Sequence, residues 1–260
     1  MKNITQKTAT AATVTLLSLL FVGWLLLPGC QTGEKENWVS IFNGKDLEGW
    51  DIKISGYELN DNFGNTFRVE DGVLKVSYDE YEEFGNRFGH IFYNQPFSHY
   101  KLRLEYRFTG NQVPGGAGWA LRNNGVMFHS QSAESMELDQ NFPVSVEAQL
   151  LGGLGEGERT TGNVCTPGTN IEVDGVRIMA HCINSRSATY HGDQWVKFEM
   201  VVFGDSLVHH IVEGDTVFTY GKLRLEESGL PLGEGHIALQ AESHPTEFRN
   251  IEVLDLSIKE

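Results

Sequence analysis

Basic residues are in short supply. The 260-residue chain carries 20 Lys and Arg against 35 Asp and Glu, a formal net charge of −15. An acidic surface of that kind disfavours nucleic acid and anionic lipid as partners and says little about a neutral sugar. Cysteine is scarce too: the three present, Cys30, Cys165 and Cys182, show no CxxC spacing, which gives no support to a soft-metal site. No H-E-x-x-H or other close His/carboxylate spacing assigns a metal. The run Gly152-Gly153-Leu154-Gly155-Glu156-Gly157 lacks the following Lys-Ser/Thr pair of a phosphate loop, and reads as a tight bend. No long stretch repeats apolar residues at helical spacing, and no internal repeat or low-complexity tract is visible.

The longest apolar run lies at the N-terminus. Lys2 and Lys7 precede residues 11–27, which are almost entirely apolar or small, and Leu27-Pro28-Gly29-Cys30 follows. This is the pattern of a signal peptide over residues 1–29 ending in a lipobox-like site, with Cys30 as the lipidated residue. Pro28 is unusual there, so ordinary secretion and an uncleaved anchor stay open; the run is about as long as a membrane span (roughly 17–25 residues). In each case the globular part is exported; as a lipoprotein it stays in the cell envelope, the lipid being its one contact with a membrane. Loss of residues 1–29 removes two lysines and no acid, taking the charge from −15 to −17. Cys165 and Cys182 are then an even pair in an oxidising compartment, where a disulfide is the default and two free thiols or soft-metal ligands the alternative. It would close a loop of about 18 residues and contribute roughly 3 kcal/mol.

Residues 30–37 read as a polar tether, and residues 38–260 as one all-β domain. With 29 glycines and 7 prolines, the signals are of strand type. In 101–108, Leu102, Leu104, Tyr106 and Phe108 alternate with Lys101, Arg103, Glu105 and Arg107, a strand with one wet face. Val196, Phe198, Met200 and Val202 alternate in the same way in 195–203. Residues 68–76 form a hairpin turning at Asp71-Gly72, and 203–206 and 212–217 are two further turns of a meander. About twelve to fourteen short strands are expected. Long irregular stretches fall at 79–90, 109–117, 130–143 and 152–193, and loops of that length are commonly functional.

Two strands carry polar residues where a dry face would make them costly. In 144–151, Ser145, Glu147 and Gln149 share the face opposite Val144, Val146, Ala148 and Leu150. In 235–242, His236, Ala238, Gln240 and Glu242 oppose Ile237, Leu239 and Ala241. Arg122 with Ala120 extends the pattern. The expectation is a shared water-filled trough rather than a solvated outer face, since amides both donate to and accept from sugar hydroxyls. Gln149, Gln240 and Arg122 would hold a sugar there. Trp119 is a candidate stacking platform or a core residue. His129, His181 and His191 are site candidates, the last two beside the Cys165–Cys182 loop. His209 and His210 lie in a meander strand, where one simply faces solvent.

The ends and the centre of the domain are familiar. Residues 38–50 (Trp-Val-Ser-Ile-Phe-Asn-Gly-Lys-Asp-Leu-Glu-Gly-Trp), Glu147-Ala148-Gln149-Leu150, and Gly235-His236-Ile237-Ala238-Leu239-Gln240 followed by Glu247-Phe248-Arg249-Asn250-Ile251 resemble the opening, the central E-x-Q strand and the closing strands of the DUF1080 family, also called the 3-keto-disaccharide hydrolase domain. The resemblance implies a concanavalin-like (LamG-like) jelly-roll sandwich of two antiparallel sheets. It also implies cleavage of glycosides oxidised to a ketone at C3. Such a ketone acidifies the C2 proton, so a base near C2, a donor or divalent metal near the enolate oxygen and an acid for the leaving oxygen would suffice. Ordinary glycoside hydrolysis needs two carboxylates about 5–10 Å apart. Strand 144–151 offers one carboxylate and one amide where a conventional retaining enzyme would show two acids, which favours elimination, although Glu242 or Glu137 could supply that second acid from elsewhere in the chain. Glu147 is the expected base, with His129 or His181 as the alternative. A non-catalytic carbohydrate-binding or adhesion module is the competing reading, because a sandwich hosts both functions.

Overall fold

A computed structural model describes residues 36–257, together with Met1; the signal-peptide and Cys30 expectations fall outside the described residues. Seventeen strands occur among the described residues: β1 (Val39–Ser40), β2 (Trp50–Ile54), β3 (Phe67–Glu70), β4 (Val73–Val76), β5 (Gly89–Tyr93), β6 (His99–Phe108), β7 (Asn123–Ser130), β8 (Val146–Leu151), β9 (Asn163–Cys165), β10 (Thr169–Val173), β11 (Val176–Arg177), β12 (Cys182–Ile183), β13 (Val196–Phe203), β14 (Leu207–Val212), β15 (Asp215–Leu225), β16 (His236–Ala241) and β17 (Thr246–Asp255). Three short 3-10 turns complete the regular structure. No helix among the described residues is long and apolar enough to cross a membrane.

The strands form two antiparallel sheets. Sheet A runs β11-β10-β15-β14-β13-β6-β17-β4-β3, with β1 added along β17, and sheet B runs β12-β9-β8-β7-β16-β5-β2. The period of two decides what lies between them. Sheet A contributes Tyr100, Leu102, Leu104, Tyr106 and Phe108 of β6 and Val196, Phe198, Met200 and Val202 of β13. Sheet B contributes Val126 and Phe128 of β7, Val146, Ala148 and Leu150 of β8, and Ile237, Leu239 and Ala241 of β16; all are buried. The predicted hairpin is present, with Glu70 paired to Val73 across Asp71-Gly72 at φ of 52° and 78°, as is the β13-β14-β15 meander.

The sequence reading undercounts strands because of 152–193. That stretch contains β9 to β12, each two to five residues long. Ladders so short show no alternation, and β10 takes its partner β15 from far along the sequence. The disulfide joins Cys165 to Cys182 across the β9–β12 pair, Cα to Cα 4.1 Å, and ties the edge strand to sheet B.

Candidate active site

Sheet B turns its other face outward, and the register fixes which residues share it. Lys53 of β2 pairs with His90 of β5, His90 with Gln240 of β16, Gly125 of β7 with Gln149 of β8, and Gln149 with Asn163 of β9. Leu239 opposite Val126 makes Gln240 the neighbour of Gly125, so these six form one row across the sheet. The next row joins Phe92, Ala238, Met127, Glu147 and Cys165. The third, continuing the β16–β7 register, sets Glu242 beside Asn123. Glycine at 125 is required by Glu147: a Cβ there would lie 2.3 Å from Oε1, so the carboxyl lies over the bare backbone of β7.

Glu147 and Gln240 thus share a face, as the alternation in β8 and β16 implied. The water-filled trough is a different matter, and there the structure corrects the expectation. His90 and Gln240 are fully buried, Glu242 is 3% exposed and Glu147 6%. Phe92, Met127, Ala133, Met136 and Ala238, with Phe142 packed on them, form a second apolar cluster on this side of the sheet. The segment 131–143 supplies much of it, so chain predicted as a loop roofs part of the face. Phe142 lies 4.9 Å from Phe88 and 6.1 Å from His90, ring centre to ring centre.

Burial leaves an unusual inventory. Both ring nitrogens of His90, both ends of the Gln240 amide, Oε2 of Glu242 and Oδ1 of Asn123 have no hydrogen-bond partner in the protein. Buried polar groups are ordinarily satisfied, and each exception calls for an explanation. Neither Glu147 nor Glu242 joins an ion pair among the described residues. Burial pushes Glu147 up to about 8. Burial and the neighbouring Glu147 charge raise Glu242 well above the ordinary carboxylate range. Burial lowers His90 to about 3, so its imidazole is neutral, with one N–H to donate and one lone pair to accept. Among the described residues no three His, Cys, Asp or Glu side chains converge as metal ligands.

The other candidates go to different places. His129 does not reach this face. At φ 45° it lies within the register shift of the β7–β16 pairing, and its buried ring turns towards sheet A, Nε2 3.1 Å from the Gly204 carbonyl and the ring centre 6.3 Å from that of Tyr100. His181 is exposed just ahead of β12, and its carbonyl accepts from the Thr166 N–H. Arg122, expected to extend the row, has φ 47°, which redirects its side chain to the 190s loop. There it bonds Asp193 (3.1 Å) and the Gly192 carbonyl and lies over the Phe108 ring. His191 accepts from the Gly155 N–H at 3.0 Å. Arg122 and His191 therefore fix loops at one end of the sandwich. His209 faces outward against Thr219, while His210 is a core residue held by the Gly162 carbonyl and Tyr220. Gln149 is half-buried and accepts from Asn163 at 3.2 Å. Trp119 is 57% exposed, its ring parallel to Phe88 at 6.2 Å; core packing does not describe it.

Sequence reasoning missed His90 and Asn123. The signal for His90 was its parity with Phe92 opposite Ile91, hidden in a five-residue strand that reads as uniformly apolar.

The 3-keto-alpha-glucoside-1,2-lyase-like domain is matched over residues 37–254. The chain belongs to this family. The resemblance drawn from the opening, central and closing motifs is thereby established, and the protein takes its place in a carbohydrate-directed family. No curated protein matches it. Solved structures share the lyase-like domain's fold. A candidate glycosyl hydrolase from Parabacteroides distasonis ATCC 8503 is 18% identical, with 85% of this chain and all of that one covered, at a TM-score of 0.51. The exoplasmic/lumenal domain of VIP36, in its Ca2+/Man3GlcNAc-bound form, is 10% identical, covering 87% of this chain and 91% of the other, at 0.52. At such identities the likeness extends to the jelly-roll sandwich alone.

Proposed function

We propose that this protein cleaves glycosides whose sugar is oxidised to a ketone at C3, by removing the C2 proton and eliminating the C1 substituent, with Glu147 as the base. The observation that supports this is Glu147 itself: a buried carboxyl without a counter-ion, raised to about 8, among polar groups that lack partners. A base of that strength matches a C–H proton acidified by an adjacent ketone at neutral pH. Neutral His90 and the amide of Gln240 are the free donors on the row next to that of Glu147, and either can hold the enolate oxygen. A sugar enters from the side of half-buried Gln149 and exposed Trp119, with the indole as its stacking surface. The protein acts in the cell envelope as a lipoprotein anchored through Cys30; the Cys165–Cys182 disulfide fits an oxidising compartment.

The test is incubation of the purified domain with 3-keto-glucosides beside their unoxidised parents, followed by product analysis. Cleavage of the oxidised set alone is the expected result. Cleavage of the parents alone would replace the elimination by conventional glycoside hydrolysis. Binding of both sets with cleavage of neither would make the domain a carbohydrate-binding module.

A further inference from the structure

Elimination with Glu147 as base leaves one role unfilled, the proton for the departing oxygen. Glu242 follows β16 with outward parity, beyond Ala238 and Gln240, and the register sets it beside Asn123. Glu147 reaches over Gly125 from β8. The two carboxyls therefore stand diagonally across a glycine, with no side chain at that position to separate them. Oε2 of Glu242 and Oδ1 of Asn123 have no partner in the protein. We propose that Glu242 is the second catalytic residue, the acid that protonates the leaving oxygen, and that it holds the single proton the pair shares. This rests on the reading of Glu147 as the base.

Two neighbouring carboxyls on a buried face, with no cation beside them, do not both ionise. Removing one proton from the pair leaves a carboxylate and a carboxylic acid, which are the two groups an elimination needs. The charge of Glu147 acts to keep Glu242 protonated. In the first step the Glu147 carboxylate takes the C2 proton. The C–H electron pair becomes the C2–C3 double bond and the C3 carbonyl becomes an enolate oxygen. The enolate then collapses: the C3 carbonyl re-forms, a C1–C2 double bond appears and the C1–O bond breaks. Its electrons stay on the leaving oxygen, which takes the Glu242 proton. Water is added by the reverse path. Glu242, now a carboxylate, takes a proton from the water whose oxygen bonds C1, and Glu147 returns its proton to C2. Both side chains end as they began, and nothing is oxidised or reduced overall.

The experiment compares methyl and 4-nitrophenyl 3-keto-α-glucosides, because nitrophenolate departs without protonation. Glu242→Gln is expected to lose about 10²–10³-fold in kcat on the methyl glycoside and at most about tenfold on the nitrophenyl one. Glu147→Gln is expected to lose equally on both. Equal losses on both substrates in Glu242→Gln, or no loss on either, would remove the acid role from Glu242 and leave Glu147 in place. An active Glu147→Gln would overturn the base and the pair together, as would a wild type inert towards both glycosides. Should Glu242→Gln fail to fold, the wild-type pH profiles decide. The methyl glycoside should show an alkaline limb in kcat/KM that the nitrophenyl glycoside lacks, and superimposable profiles overturn the proposal.

Discussion

The outward faces of the two sheets are built from the same alternation and arrive at opposite electrostatics. On sheet A the outward residues of β6 and β17 neutralise one another: Arg103 with Glu252 at 2.7 Å, Arg107 with Glu247 at 2.6 Å, and Arg249 with Glu105 at 2.6 Å. Trp195 lies between Arg107 and Arg249, 4.6 and 4.0 Å from its ring centre. The hollow of about 300 Å³ on that face is lined by Arg103, Glu105, Lys197, Glu199 and Glu252, a set of both signs. On sheet B most of the outward residues around Gly125 are buried, and several have no partner at all. A face that satisfies itself has no need of a ligand. A buried face holding unused donors, acceptors and two carboxyls costs stability in the folded protein, which is expected where chemistry is done.

The largest effect should come from breaking the sheet B face at its base. Glu147→Gln keeps the shape and removes the proton acceptor, so turnover of a 3-keto-glucoside should fall about 10²–10⁴-fold. Near-normal turnover would take Glu147 out of the chemistry.

The same substitution should sharpen the stability contrast. The folded-state value of Glu147, about 8, lies above the unfolded one, so the folded protein binds more protons between roughly pH 4.5 and 8. The stabilisation associated with this group is full below about pH 4.5 and is lost as pH rises towards 8. Urea midpoints of wild type and Glu147→Gln should therefore diverge in favour of the variant across that interval, by up to a few kcal/mol at pH 8. A constant difference would mean the carboxyl is not perturbed by burial. The buried histidines His90, His129 and His210 act in the opposite sense. Their lowered values make both proteins less stable as pH falls below about 6.5, an effect that cancels in the comparison.

Reduction of Cys165–Cys182 should lower unfolding free energy by roughly 3 kcal/mol, measured by urea denaturation with and without reductant. Gly125→Ala should cost about 1–3 kcal/mol through collision with the Glu147 carboxyl, and should lower turnover by displacing that carboxyl. Arg249→Ala on sheet A should cost no more than about 1 kcal/mol in thermal unfolding and leave turnover unchanged. Loss of turnover there would make the outer face of sheet A part of the site.

Much of this contrast was legible beforehand. Alternation in 101–108, 195–203, 144–151 and 235–242 gave the strands and the parity of Glu147, Gln149, Gln240 and Glu242, because a period of two needs no knowledge of partners. Whether a face is wet depends on what crosses it. The segment 131–143, which reads as an irregular loop, carries Ala133, Met136 and Phe142 onto sheet B and closes part of it. Arg122 escaped its predicted row, and His129 the site for which it was a candidate, because each has a positive φ, a backbone property that their side chains do not announce.

By itself, then, the order of residues determined an all-β chain, the two sets of inward side chains, the Asp71-Gly72 hairpin, the even cysteine pair and the family motifs at both ends. All of these are local patterns or pairings that chemistry enforces over short distances. Only the tertiary structure decided that Glu147 and Glu242 meet across Gly125, that His90 stands in the row of Gly125 between theirs, and that the group is largely buried. Those outcomes depend on strand neighbours far apart in sequence and on a covering segment, and no periodicity along one strand encodes which strand will lie beside it.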